Sequence, residues 1–231
     1  MADNPKEWNQ QKIGELTYQS EVKEFTEPGG MMDQYATAMG HLIYLQSEPG
    51  ISIQLLKPNL GSFVLGDSNE PKDTIDVLKR CRDSQQKIFQ KLKSKNPKLN
   101  IHNCDKNLDL SDLKTNEIEL YNGMIQNRDI LKRVLPELEK DEPNHKLIGE
   151  LLSEHHTILR DVLQVSTPKI ESMLDAAMDA GALGGKINGS GGGGCMFAYA
   201  PNEPEKVAEA VKKVSGYTHI IHSDAGTEIL I

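Results

Sequence analysis

The sequence predicts an α+β chain, helices with antiparallel strands, on three observations. Residues 41–66 hold three short apolar runs, His41-Leu-Ile-Tyr-Leu-Gln46, Ile51-Ser-Ile-Gln-Leu-Leu56 and Ser62-Phe-Val-Leu-Gly66. Pro49-Gly50 and Pro58-Asn-Leu-Gly61 punctuate them, so they read as successive antiparallel strands. The stretch that follows, from Lys72 to Gln164, is mostly helical in pattern, and the tail after Cys195 reads strand, helix, strand, strand.

The first helix is expected to begin at Asn4, with Pro5 in the first turn and Glu7 as a capping-box acid. Ile13, Leu16, Val22 and Phe25 give it an apolar face that carries Glu21 and Glu24 toward its end, where Pro28-Gly29-Gly30 breaks it. Met31 to Gly40 reads as a second, short helix with Asp33 in its first turn. Beyond the strands, helices are predicted over Lys72–Lys95, Asn116–Leu138 and His145–Gln164, separated near 96–111 by basic and polar loops. Charge runs such as Lys91-Leu-Lys-Ser-Lys95 read as solvated faces. Ser166-Thr167-Pro168 starts another helix and Gly181 closes it. The tail is predicted as strand 195–200, a helix from about Glu203 to Val214, strand Tyr217–His222 and strand Thr227–Ile231. The expected domain boundary lies near Lys57 to Gly61, giving a first domain at 1–57 and a second at 58–231.

Composition narrows the class. The 231 residues are 37% hydrophobic and 26% charged, the profile of one or two globular domains. A formal net charge of -8 argues against nucleic acid or an anionic membrane as the main partner, since both need basic surfaces. No apolar run approaches a bilayer span and the polar start lacks a signal-peptide shape, so cytoplasm is the expected location. Cys81, Cys104 and Cys195 are odd in number and widely spaced, which reads as reduced, structural thiols. His155 and His156 are adjacent, about 100° apart on a helix, so they make no chelate. Serine-hydrolase, P-loop and dinucleotide fingerprints are all missing, and Gly184-Gly185-Lys186 lacks the hydroxyl residue and preceding strand of a phosphate loop.

Two features carry chemistry. The run Gly189-Ser190-Gly191-Gly192-Gly193-Gly194 sits between a predicted helix and the apolar strand at Cys195, and so many glycines imply backbone angles or close approaches that side chains forbid. Such a loop holds phosphate or braces a loop that does. Glu21 and Asp33 flank the glycine-rich turn, which can bring both carboxylates to one cleft. There one can ligate magnesium while the other takes a proton from, or orients, a substrate hydroxyl.

Together these segments resemble the GHMP superfamily of small-molecule kinases, galactokinases most closely. Gly30-Met-Met-Asp-Gln34 is similar to the family's Gly-x-Met-Asp-Gln segment, which implies that Asp33 is the catalytic base and that Gly30 lets substrate approach the backbone. Glu21 has the spacing of the magnesium-binding glutamate. His156-Thr-Ile-Leu-Arg-Asp161 with Val165-Ser166 and Pro168 resembles a galactokinase stretch. Gly184-Gly-Lys-Ile-Asn-Gly-Ser-Gly-Gly-Gly-Gly-Cys195 resembles the third superfamily motif, which implies that Gly189, Ser190, Gly191, Gly192 and Gly193 serve the nucleotide site. The resemblance implies ATP and Mg2+ as cofactors, phosphoryl transfer to a sugar hydroxyl, and a partial first domain followed by a ferredoxin-like second one. The first two superfamily motifs are missing from these residues, so the chain is expected to need an N-terminal kinase segment, in cis or in trans. The segment Ser68 to Val77 lacks the galactokinases' sugar-contacting tyrosine. A heptose, fucose or mevalonate-like alcohol is therefore the alternative substrate, and a non-catalytic sugar or nucleotide sensor the alternative class.

Overall fold

The computed structural model describes residues 8–26, 30–47, 50–71, 74–105 and 107–228. The chain divides into two compact units. One runs to Asn59 and takes in Leu138–Asp141 and the chain from His222 onward; the other comprises Leu60–Glu137 and Glu142–Ile221.

In the first unit, α1 (Gln10–Tyr18) opens on Asn9, whose side chain accepts from the Lys12 amide at 2.8 Å. An aspartate-like amide oxygen there satisfies one of the amides that a helix start leaves unpaired. The cap expected at Asn4, Pro5 and Glu7 lies outside the described residues. A π-helical turn, Gln19–Lys23, prolongs α1 and carries Glu21. Next comes α2 (Met32–Met39), which lays Tyr35, 1% exposed, against α1 beside Gly14. An antiparallel hairpin follows: β1 (Leu42–Gln46) pairs with β2 (Ser52–Leu56), Leu42 opposite Leu56. The strand expected at Thr227–Ile231 is not formed over 227–228, and 229–231 lie outside the described residues. The Thr227 amide is instead taken by the Ala38 carbonyl at 3.1 Å, and Gln10 Nε2 donates to the Ala225 carbonyl at 3.0 Å. Backbone groups spent on helices are not available to a strand ladder.

The second unit is built on one antiparallel sheet of β3 (Phe63–Asp67), β4 (Gly184–Ile187), β5 (Cys195–Tyr199) and β6 (Tyr217–Ile221), in the order β4-β5-β3-β6. A strand, a helical crossover, two strands, a helix and a last strand, with the first and third strands central, make a ferredoxin-like arrangement. Two expectations change. The apolar run at Ser62–Gly66 does not extend the hairpin; as β3 it pairs with β5 and β6, far away in sequence. Also, Gly184–Ile187, where the sequence predicts no strand because two glycines in four residues depress strand propensity, forms β4. Its partner β5 decides the matter, with Gly185 opposite Ala198.

The helices of this unit are α3 (Thr74–Lys95), α4 (Thr115–Leu138), α5 (His145–Thr157), which runs into a π-helical turn at Ile158–Val162, α6 (Pro168–Asp179) and α7 (Pro204–Ser215). Both α6 and α7 pack on the sheet, where Val64, Ile170, Met173, Met196, Val207 and Val211 form the core. Each such side chain contributes about 1.5–3 kcal/mol by leaving water. A second core, with Ile88, Leu92, Cys104, Tyr121 and Ile125, joins α3, the 96–113 loop and α4. The three cysteines are free thiols. Among the described residues no helix is long and apolar enough to cross a membrane.

The exposed edge of β4 is closed by α5. Ser153 Oγ accepts from the Gly185 amide at 3.3 Å, and His156 Nδ1 accepts from the Ile187 amide at 3.3 Å. Helix and strand touch backbone to backbone: a Cβ at Gly184 would stand 1.9 Å from the Gly149 carbonyl oxygen. Only glycine fits there, and an edge strand covered in this way cannot recruit a foreign strand.

Candidate functional site

The glycine loop leaves β4 at Asn188 and re-enters the sheet at Cys195. Gly189, Gly191, Gly192, Gly193 and Gly194 all take positive φ, from 71° at Gly189 to 120° at Gly193. Space is also denied: a Cβ at Gly191 would lie 2.6 Å from the Val165 carbonyl, and one at Gly193 would lie 2.9 Å from the Pro71 carbonyl. L-residues with side chains meet both penalties at once, so the run is a shaped turn and not a linker. Its amides are partly spent on the protein. Gly192 N–H donates to the Val165 carbonyl at 2.6 Å, Gly194 N–H donates to the Glu70 carbonyl at 3.1 Å, and Ser68 N–H donates to the Gly194 carbonyl at 2.9 Å. Gly191 and Gly193 are buried, while Gly189 is exposed and Ser190 half-buried. Of the five residues expected to serve a nucleotide, then, Gly192 acts first as a brace.

A polar network holds the far side of that brace. His156, 5% exposed, uses Nδ1 for the Ile187 amide and so donates its Nε2 proton to Glu171 Oε1 at 2.9 Å. Glu171 lies in the first turn of α6, where Thr167 caps the helix through the Ile170 amide at 3.3 Å. The Ser166 hydroxyl donates to the same carboxylate, Arg160 Nη1 reaches its other oxygen at 3.3 Å, and Arg160 also pairs with Asp161. These bonds hold the Glu171 carboxyl below the ordinary range against the opposing effect of burial. Thr167 Oγ1 donates to the Glu70 carboxylate, which closes a ring around the loop's two anchor points. The sequence motif His-x-x-Leu-Arg-Asp with Val-Ser and Pro thus has a structural role that its spacing did not disclose. Glu171, three residues after a proline-opened helix start, was missed altogether.

Lys186 sits on β4 beside this network. Its ammonium donates to the Ile187 carbonyl at 2.9 Å and lies 5.1 Å from the centre of the Phe197 ring. Among the described residues no carboxylate lies within ion-pair distance of it. Burial pulls its pKa down to about 8. Burial, and after it the neighbouring Lys186 charge, likewise pulls His155 to about 4. The adjacent histidines go separate ways, and among the described residues no group of three or more His, Cys, Asp or Glu is placed to hold a metal ion.

In the first unit the π-helical turn and α2 bring Glu21 next to the motif Gly30-Met-Met-Asp-Gln34. Gln34 Nε2 donates to Glu21 Oε2 at 2.9 Å, and Asp33, exposed in the first turn of α2, is the residue before it. A Cβ at Gly30 would meet no atom within 4 Å, so the backbone there is open to a ligand. Gln34 Oε1 is buried and has no partner among the described residues. A carboxylate and an orphaned amide oxygen are hard oxygen donors, and Mg2+ needs only one or two protein oxygens because it keeps several waters and takes phosphate oxygens. The residues present therefore fit that cation.

Both units have the fold of GHMP kinases. The solved structure of Lactococcus lactis galactokinase complexed with galactose superposes on 96% of this chain and 61% of that one, with a TM-score of 0.69 and 19% identity. Residues 134–215 match the family model for the C-terminal domain of GHMP kinases, and the chain carries that domain. The mevalonate kinase of Pyrococcus furiosus is 46% identical over 83 residues, which are 36% of this chain and 24% of the relative. The galactokinase of Clostridium tetani is 25% identical over 209 residues, 81% of this chain and 51% of the relative. The chain therefore spans between a quarter and about half the length of these two relatives.

Proposed function

We propose that this chain belongs to an ATP-dependent kinase that transfers a phosphoryl group to the hydroxyl of a small molecule, with a galactokinase-like sugar as substrate. One observation carries the proposal: the Gln34–Glu21 bond, which sets a cation-suited carboxylate beside the exposed Asp33. Phosphoryl transfer depends mostly on positioning and charge stabilisation, so few residues suffice. Asp33 accepts the proton of the attacking hydroxyl, Gly30 leaves room for the substrate, and Glu21 with Gln34 holds Mg2+, which supplies neutralising charge to the triphosphate. The glycine loop, with the exposed Gly189 and half-buried Ser190 as its nucleotide-facing part and the buried Gly191 and Gly193 setting its shape, braces the phosphate site. Galactokinase relatives favour the sugar, and the 46% identity to a mevalonate kinase favours a mevalonate-like alcohol as the second reading.

Purified protein, supplied with the N-terminal kinase segment in cis or in trans and assayed with labelled ATP and Mg2+ against galactose and against mevalonate, should label one of the two. Labelling of galactose supports the sugar, and labelling of mevalonate alone overturns it in favour of the alcohol. Saturable nucleotide or sugar binding with no labelled product overturns catalysis and leaves a sensor.

A further inference from the structure

We propose that His156 is a positioning residue for the glycine loop: through Glu171 and Ile187 it sets the loop's shape, and with it the affinity for nucleotide. The second half of this statement rests on the nucleotide reading given above; the first half does not.

The bonds run in one direct chain. The Ile187 amide occupies Nδ1, so the neutral ring has a single proton left, on Nε2, and it goes to Glu171. Ile187 is the last residue of β4 and the loop starts immediately after it, so the bond fixes the height at which the loop leaves the sheet. Glu171 also takes the Ser166 hydroxyl, which fixes the residue next to Val165. Val165 is the loop's fulcrum. Its amide is bonded to the Leu159 carbonyl of the π-helical turn at 3.0 Å, its carbonyl holds the Gly192 amide, and its side chain and carbonyl fill the space where a Cβ on Gly191 would be. Gln164, just before it, takes a positive φ of 53° and presents its carbonyl to Arg80 Nη2 at 3.4 Å. One imidazole therefore joins both banks of the loop: the strand it leaves and the turn that anchors its middle. Neither bank is fixed by apolar packing alone, because the contacts that set the loop's register are hydrogen bonds to buried groups, which are costly to leave unmade.

His156→Leu removes both bonds at similar volume, and His156→Gln keeps one acceptor and one donor. Amide hydrogen exchange at Ile187 and Gly192 should speed up by about tenfold in the leucine variant, the scale expected for the loss of a buried hydrogen bond, with much smaller change in α4 and α7. The glutamine variant should recover part of it. With the N-terminal kinase segment supplied in cis or in trans, titration with MgATP should show weaker binding in His156→Leu in proportion to the exchange at the loop. Faster exchange spread evenly over the chain, or none at Ile187 and Gly192, would overturn the positioning role. Should His156→Leu fail to fold, Ser166→Ala cuts the same chain at a half-buried link, and unchanged exchange at Gly192 there would overturn it equally. A wild-type protein without MgATP affinity, whose loop exchange still responds to His156, supports the positioning and overturns the nucleotide reading instead.

Discussion

The two candidate regions of the proposed site are held in opposite ways. The glycine loop is held by backbone: five glycines with positive φ, amides tied to Val165 and Glu70, and buried side chains behind them. Among its described residues the Glu21–Asp33 segment is held by the side-chain bond between Gln34 and Glu21 and by Tyr35 packed beside Gly14, while both carboxylates stay exposed. A loop of the first kind tolerates no side chain and acts through its shape. A segment of the second kind tolerates substitution structurally and acts through the identity of its groups. Variants of the two should therefore separate stability from turnover.

The largest effect is expected at Asp33. Asp33→Asn keeps the size and removes charge and basicity, so turnover should fall by about a hundredfold or more, the usual scale for a positioned acid or base. The melting temperature should hold, because the side chain is exposed. Near wild-type turnover would remove Asp33 as the base, and a large loss of melting temperature would blur the contrast between the two regions.

Gly191→Val should do the reverse. A positive φ of 81° and 2.6 Å to the Val165 carbonyl combine strain with overpacking, together about 2–5 kcal/mol of lost stability. Denaturant titration reads it directly, and on a domain of ordinary stability the loss is severe. A variant as stable as wild type would return the loop to the status of a linker. Glu21→Gln should be milder. It keeps a partner for Gln34 but weakens the cation's carboxylate, so the magnesium concentration giving half-maximal activity should rise with melting temperature unchanged. An unaltered magnesium dependence would separate Glu21 from the metal.

The same contrast explains what could be read from the sequence. Glycine count and position disclosed the loop, because only unusual backbone geometry justifies five glycines in six residues. Asp33 and Glu21 stand out as candidates only by motif, since nothing in periodicity distinguishes one exposed carboxylate from another. Helices came through almost to the residue: α4, expected from Asn116, begins at Thr115, and α7, expected over about 203–214, spans Pro204–Ser215. Non-local pairing did not come through. The strand β4 hides in a glycine-rich run and is stabilised by β5 and by α5, and β3 chose partners more than a hundred residues away over the neighbouring hairpin. The network around His156 was invisible for the same reason, since Glu171 and Ile187 meet it only after α5, α6 and β4 are packed.

The smallest expected effect sharpens the boundary between brace and chemistry, at Lys186. This ammonium is largely buried, is bonded to the Ile187 carbonyl and faces the Phe197 ring without a carboxylate in ion-pair range among the described residues. Burial lowers its pKa from 10.5 to about 8, so the folded state releases the proton earlier than the unfolded chain does. Between pH 8 and 10.5 the unfolded chain binds more protons at this position, and stability contributed there rises with pH; below pH 8 both states are protonated and the burial penalty is constant. Lys186→Met keeps the length of the stem and removes the charge. At pH 7 it should gain about 1 kcal/mol or less, because the lost carbonyl bond and ring contact offset part of the relieved desolvation. That gain should shrink as the pH is raised from 8 toward 10.5, where the wild-type amine is neutral when folded. Paired denaturant melts of wild type and variant at pH 7, 9 and 10.5 isolate this residue from the tyrosines and other lysines that titrate alongside it. A stability difference that widened over that range would mean that Lys186 is held by a charge partner and not merely buried beside the loop.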